Sequence, residues 1–291
     1  MATRVLSGTR PTGKLHLGNL LGALENYKKL QGEDSFFMIA DLHALTTEYE
    51  SKTKIAEDAM EVVIDYLASG LDPERCTIFI QSDVHEHCEL AVLLQMITPI
   101  GWLERNPTYK DQIMALKEKD LNTHGFLGYP VLQAADIMLY KANKVPVGED
   151  QLPHLELTRE IIRRFHFLYK TQIFPEPEAI LTQAPRVPGL DGRKMSKSYD
   201  NCIYMSDFEK TVDTKVRSMI TDPARKTRDD KGHPEVCPVF FHHKLHNASQ
   251  TERIAHECSN ALRGCVECKM EMAKKLNEFL DPIRKRREEW T

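Results

Sequence analysis

Along the first two-thirds of the chain, apolar residues fall alternately into short unbroken runs and stripes of helical period. Arg4-Val5-Leu6-Ser7 reads as a strand that ends in a Gly/Pro loop, and a helix is predicted over residues 17–30. Ser35 to Ala40 is a buried strand, residues 53–70 a helix, and Cys76 to Ile80 the next strand. A helix around residues 89–97 follows. Another begins with Pro130 at its first position and runs to about Tyr140. Lys144-Val145-Pro146-Val147 is a strand, and residues 151–166 form an amphipathic helix. Continuously apolar strands between helices predict a doubly wound, parallel α/β sheet covered on both faces, with ligands at the carboxyl ends of its strands. After about Pro188 helical periodicity takes over, which predicts an α/β domain over residues 1–190 and an α-helical domain over residues 191–291. Residues 187–199, with Pro188, Gly189 and Gly192, form the connection and are expected to move.

Composition changes this picture little. With 41% hydrophobic and 28% charged residues the chain is in the range of ordinary globular proteins. It has no signal-peptide pattern and no apolar run able to span a bilayer, so a cytoplasmic location without a membrane partner is expected. The net charge of −4 does not announce a nucleic-acid binder, but phosphates are met by local basic patches. Lys and Arg are frequent from Arg193 onward, including the run Arg284-Lys285-Arg286-Arg287, for which a solvated helix end is the plainer explanation.

Candidate chemistry begins where the first strand ends. Gly8, four residues, Gly13 and Lys14 nearly spell the phosphate loop of kinases and GTPases. Leu15 stands where a hydroxyl would have to reach magnesium, and Pro11 removes a backbone donor, so that reading fails. His16-Leu17-Gly18-Asn19 opens the following helix and resembles the HIGH signature of class I aminoacyl-tRNA synthetases. An imidazole and unpaired helix N–H groups stabilise phosphate charge there, and Gly18 admits the nucleotide close to the backbone. Lys194-Met195-Ser196-Lys197-Ser198 matches the second signature of that class, KMSKS, on a glycine-flanked loop. Its two lysines can close over a triphosphate and neutralise growing charge.

Tyr129, Gln133, Asp136 and Tyr140 form one polar stripe on an otherwise apolar helix, which fits the lining of a cavity. A buried carboxylate facing an aromatic pocket suits the indole N–H of tryptophan, a group that only donates. With Asp41-Leu42-His43-Ala44, Val147-Gly148-Glu149-Asp150-Gln151 and His154-Leu155-Glu156-Leu157-Thr158-Arg159, the chain resembles bacterial-type tryptophanyl-tRNA synthetases over nearly its whole length. The sister tyrosyl family shares some motifs but usually has Gly-Gly-x-Asp-Gln where this chain has Val-Gly-Glu-Asp-Gln. The resemblance implies a Rossmann-type catalytic domain and a helical anticodon-binding domain. It implies ligation of L-tryptophan to tRNA(Trp) through an adenylate formed from ATP with Mg2+, in a homodimer that does not bind DNA. By the same resemblance His16, Lys194 and Lys197 are catalytic, and Arg10, Thr12, Gly18, Asn19, Gly148, Asp150, Met195 and Ser196 hold ATP. Tyr129, Gln133, Asp136, His43, Val145 and Gln151 bind the amino acid. A regulator descended from a synthetase would show decayed signatures, whereas both are intact.

Of the seven cysteines, Cys76, Cys88 and Cys202 are scattered. Cys237, Cys258, Cys265 and Cys268 are grouped and end in a CxxC, a pattern for a zinc ion or a four-iron cluster. Resemblance to a subgroup of tryptophanyl enzymes with Arg-Pro-Thr-Gly near the N-terminus implies the 4Fe-4S cluster, with zinc as the alternative. Family members usually continue with further helix beyond the position of Trp290-Thr291, so a shortened C-terminus is expected here.

Overall fold

Five strands form a wholly parallel sheet in the computed structural model, which describes residues 3–32, 34–50, 54–110, 121–181 and 186–291. Contacts within the chain divide it into two compact units. The first comprises residues 1–13, 25–66 and 70–183, the second residues 14–24, 67–69 and 184–291.

The first unit holds the sheet, made of β1 (Val5–Thr9), β2 (Ser35–Ile39), β3 (Thr77–Ile80), β4 (Lys144–Val147) and β5 (Glu178–Leu181) in the order β3-β2-β1-β4-β5. β1 pairs with β2 from Val5↔Ser35 to Thr9↔Ile39, and with β4 at Val5↔Lys144. The strand order therefore reverses between β1 and β4, the place in such sheets beyond whose strands' carboxyl ends ligands bind. The segments leaving β1 and β4 carry Arg10 and Gly148, two of the sequence-predicted ligand residues.

Helices α3 (Asp41–Glu48), α5 (Glu86–Gln95), α7 (His124–Leu139) and α8 (Leu152–Tyr169) share this unit with α6 (Ile100–Glu104) and most of α4 (Lys54–Ser69). Thr53, where the sequence starts the helix now called α4, lies outside the described residues. Helix α7 differs from expectation. It begins at His124, with Thr123 as N-cap accepting the Phe126 N–H at 3.2 Å, and Pro130 lies inside it rather than at its first position. One face of α7 packs Val131, Ala134, Ala135 and Met138 against Leu94 of α5 and Ile161 and Ile162 of α8. Burying large apolar side chains contributes about 1.5–3 kcal/mol each, so α7 is fixed from both sides and its polar stripe has a defined position. β5 had no counterpart in the sequence pattern; it follows Pro175 and Pro177 and pairs with β4 from Lys144↔Glu178 to Val147↔Leu181.

The second unit includes α1 (Leu17–Asn19), which runs into a π-helical turn over Leu20–Leu24 before α2 (Glu25–Leu30) begins. It also holds α9 (Glu209–Ser218), α10 (Pro238–His246), α11 (Thr251–Ser259) and the long α12 (Cys265–Trp290). Val212 and Val216 of α9, Val239 of α10, Ile254 of α11 and Leu276 and Leu280 of α12 are wholly buried. Among the described residues no helix is long and apolar enough to cross a membrane.

Candidate active site

In the first unit the polar stripe of α7 meets side chains from three other segments. Asp136 is 2% exposed, and its carboxylate is a hydrogen-bonding hub. Oδ1 accepts Nδ1–H of His87 at 2.7 Å and Nε2–H of Gln81 at 2.8 Å, while Oδ2 accepts Nε2–H of His43 at 2.8 Å. A carboxylate only accepts, so each histidine must present a proton to it. Burial pushes the Asp136 carboxyl up, but the facing His43 and the bonds from both histidines outweigh it and hold the group below the usual range, hence ionised. Tyr140 closes the far side, its hydroxyl 3.0 Å from His87 Nε2. Gln81 and His87, both fully buried, were not identified from sequence. Gln81 lies in the 3-10 turn after β3 and His87 in the first turn of α5, where neither helical period nor a motif marks them.

A second chain of polar groups ends at Tyr129. Asn106 donates to His154 Nδ1 at 3.1 Å, so His154 Nε2–H donates to the Tyr129 hydroxyl at 2.8 Å. Burial first, and the nearby His43 second, lower the His154 pKa to about 4, which keeps the ring neutral. His43 also stands edge-on to Tyr129, with ring centroids 6.4 Å apart. Gln133 is half-buried on the same helix. Val145 belongs to a core cluster with Leu6, Ile137 and Leu155. Arg10, Thr12 and Asp150 are exposed, and Gln151 donates to the Asp150 carboxylate at 2.8 Å. Gly148 lies so close to Asp150 that a Cβ would come within 2.6 Å of its Oδ1.

The second unit brings both signatures together. His16 caps α1 with its backbone, while its own N–H donates to Asn19 Oδ1 at 3.0 Å and Leu17 N–H bonds the Ile203 carbonyl. The imidazole lies over Gly18, where a Cβ would sit 2.9 Å from His16 Cε1 and push the ring from its place. Burial, then Lys197, then Lys194 lower the His16 pKa to about 4, and its buried Nδ1 has no hydrogen-bond partner. The Lys194–Ser198 segment is fastened by a residue outside the motif. Asn201, 2% exposed, accepts Ser196 N–H at 2.8 Å, donates to Asp191 Oδ1 at 2.6 Å and approaches the Lys194 carbonyl at 3.3 Å. Met195 is buried below the loop, which leaves Lys194 exposed and Lys197 partly so.

Cys237, Cys258, Cys265 and Cys268 line one small cavity of about 20 Å³, walled also by Val239, Phe240 and Ile254. All four are thiols, and burial raises Cys268 to about 12. Arg225 Nη1 stands 3.8 Å from Cys258 Sγ, and the nearly inaccessible Arg263 borders the same space. Among the described residues no three His, Cys, Asp or Glu side chains are grouped as the ligands of a single ion. The basic run of α12 is partly consumed by packing. Arg284 donates to the Asp207 carbonyl, Arg286 to the Ala68 carbonyl, and Lys285 pairs with Asp281.

The parallel sheet with its β1/β4 switch, the buried anionic hub and the paired signatures define a nucleotide-using class I synthetase. The chain belongs to the class I tRNA synthetase family of the W and Y enzymes, which it matches over residues 1–281. Within that family its similarity is to bacterial tryptophan–tRNA ligases. It is 53% identical to that of Thermotoga maritima, across 96% of this chain and 86% of that protein. To that of Aquifex aeolicus it is 45% identical, across 98% and 90%. The structure of tryptophanyl-tRNA synthetase from Campylobacter jejuni, complexed with ADP and tryptophan, superposes with a TM-score of 0.89 at 33% identity, covering 99% of this chain and 89% of that one.

Proposed function

We propose that this chain is a tryptophan–tRNA ligase that activates L-tryptophan with ATP and transfers it to tRNA(Trp). The observation that carries the proposal is Asp136 of α7, an ionised, buried carboxylate held by three donors, of which His43 stands edge-on to Tyr129. It offers an acceptor in an aromatic surrounding, the complement of an indole N–H. Tyr129, Gln133, His43 and Val145 surround the amino acid in this reading, and Gln151 serves its polar end. Arg10, Thr12, Gly148 and Asp150 address ATP from the loops after β1 and β4.

The tryptophan carboxylate attacks the α-phosphorus in line, a P–O bond forms, and the bond to pyrophosphate breaks. A ribose hydroxyl at the tRNA terminus then attacks the adenylate carbonyl, and AMP leaves. The chain supplies position and charge rather than a nucleophile. Lys194 and Lys197 neutralise the departing pyrophosphate, with Ser196, Met195, Gly18 and Asn19 shaping the seat. His16, kept neutral by burial first and by Lys197 and Lys194 after it, presents a hydrogen bond to phosphate oxygen without adding a full charge. Mg2+ bound to the triphosphate would screen its charge. Amino-acid-dependent exchange of pyrophosphate into ATP tests the proposal. Exchange with tryptophan alone is expected; exchange driven by tyrosine instead would overturn the pocket assignment.

Two finer readings go with this one. Cys237, Cys258, Cys265 and Cys268 would hold a four-iron, four-sulfur cluster. Four thiols that share one cavity support the reading, and Arg225 beside Cys258 and Arg263 beside Cys268 would offset thiolate charge. Such a cluster supplies a rigid, redox-capable cross-link among the three segments that carry the cysteines. Protein purified without oxygen should be brown and contain iron and sulfide in equal amounts, while colourless protein with one zinc per chain would refute it. A homodimer is supported by the exposed apolar row of Val92, Leu93, Met96 and Ile100, a face suited to a second copy.

A further inference from the structure

Asp136 already holds most of what a carboxylate can accept. Each oxygen has about two good lone-pair directions. On Oδ1 both are taken, by His87 and Gln81; on Oδ2 one is taken, by His43. A single direction on Oδ2 is therefore left for a ligand. What keeps the oxygens in those positions is a relay behind the carboxylate. His87 Nδ1 donates to Asp136, and in the neutral ring Nε2 then accepts from the Tyr140 hydroxyl 3.0 Å away. Burial, then the Asp136 charge, push Tyr140 up to about 12, so its proton stays in place. His87 is fully buried, stacked at 5.9 Å on Phe79 and packed at 5.4 Å against Tyr140, which fixes the ring plane.

We infer that His87, backed by Tyr140, is a specificity-positioning residue: it occupies Oδ1 of Asp136 and sets the carboxylate plane so that the open direction on Oδ2 reads one ring N–H. The inference rests on the tryptophan reading of the pocket. Without the Nδ1–H bond, the carboxylate torsion, which is intrinsically broad, is held only by Gln81 and His43 and can shift. Its open direction then no longer points at one place. A buried acceptor is also left unpaired, which favours a protonated carboxyl, and that presents a donor where the ring needs an acceptor.

The test compares tryptophan with its benzothiophene isostere, in which sulfur replaces the N–H, in pyrophosphate exchange by His87→Leu, His87→Asn and the unsubstituted protein. Asparagine places an amide N–H near the position of Nδ1; leucine places nothing there. In His87→Leu the ratio of kcat/KM for tryptophan over the isostere should fall by about tenfold to hundredfold, as expected for one buried hydrogen-bonding group left unpaired. The loss should appear in the tryptophan KM rather than in kcat, and His87→Asn should restore most of it. Equal losses for both amino acids, or His87→Asn no better than His87→Leu, would show a merely structural residue and overturn the inference. If His87→Leu does not fold, His87→Asn against His87→Gln, whose amide reaches beyond the Nδ1 position, carries the same contrast. Unsubstituted protein that exchanges the isostere as well as it does tryptophan would overturn the pocket reading itself, an outcome separate from either variant result.

Discussion

Asp136 and His16 are both buried polar groups, but their surroundings answer them in opposite ways. At Asp136 the charge is answered before any ligand arrives, by two histidines and a glutamine at 2.7–2.8 Å. At His16 two lysines bear on a buried, neutral imidazole whose Nδ1 has no partner. The first centre has its donors in place and can be selective; the second keeps a buried ring nitrogen open for a ligand. Selection among amino acids calls for fixed acceptors, whereas a leaving pyrophosphate calls for donors whose charge is satisfied only as it departs.

Substitutions at the two centres should therefore separate in kinetics. Lys194→Ala combined with Lys197→Ala is expected to lower turnover by about a thousandfold, while the tryptophan KM moves by less than about threefold, since the interaction is made late in the reaction. Asp136→Asn should instead cost about a hundredfold in kcat/KM for tryptophan, expressed mainly in KM. If the double lysine variant kept its turnover, or if both sets fell in the same parameter, the contrast would collapse.

A smaller effect follows from acid. His16 and His154 are each held near 4 against an ordinary 6.5, by burial first, and His242 and His246 are lowered in the same way. Between those values the unfolded chain binds protons that the folded chain refuses. Stability is therefore complete above pH 6.5 and falls as the pH drops toward 4, by up to about 1.4 kcal/mol per pH unit for each histidine. Urea midpoints at pH 7 and pH 5.5 should show the decline. A non-hydrolysable ATP analogue should soften the part due to His16 and leave that of His154 as it was; equal midpoints at both pH values would contradict the assignment.

The strands β1 to β4 were legible because parallel strands covered on both faces read as unbroken apolar runs, as in Ser35–Ile39. β5 was not, since Glu178–Leu181 is a short edge strand with two exposed ends after a Pro-rich stretch. The start of α7 was misplaced because Pro130 is a strong local signal for a first turn, and its packing against α5 and α8 overrides that signal. At the site, residues in recognisable strings were visible and their supports were not. His87, Gln81 and Asn201 act through partners 49, 55 and 5 residues away, and no local pattern records such pairings. The shared cavity of the four cysteines lies between these cases, because their spacing announces a group while only the fold brings Cys237 to the other three.

Asn201 has a consequence for modularity. The pentapeptide Lys194–Ser198 looks portable, a short cassette that could be moved to another hairpin. Its shape, however, is held by an amide three residues beyond it, and Gly189 leaves the room that this amide occupies. Grafted alone, the string would carry its lysines without their bearing. The transferable unit is the stretch from Gly189 to Asn201, which is longer than the signature by which it is recognised.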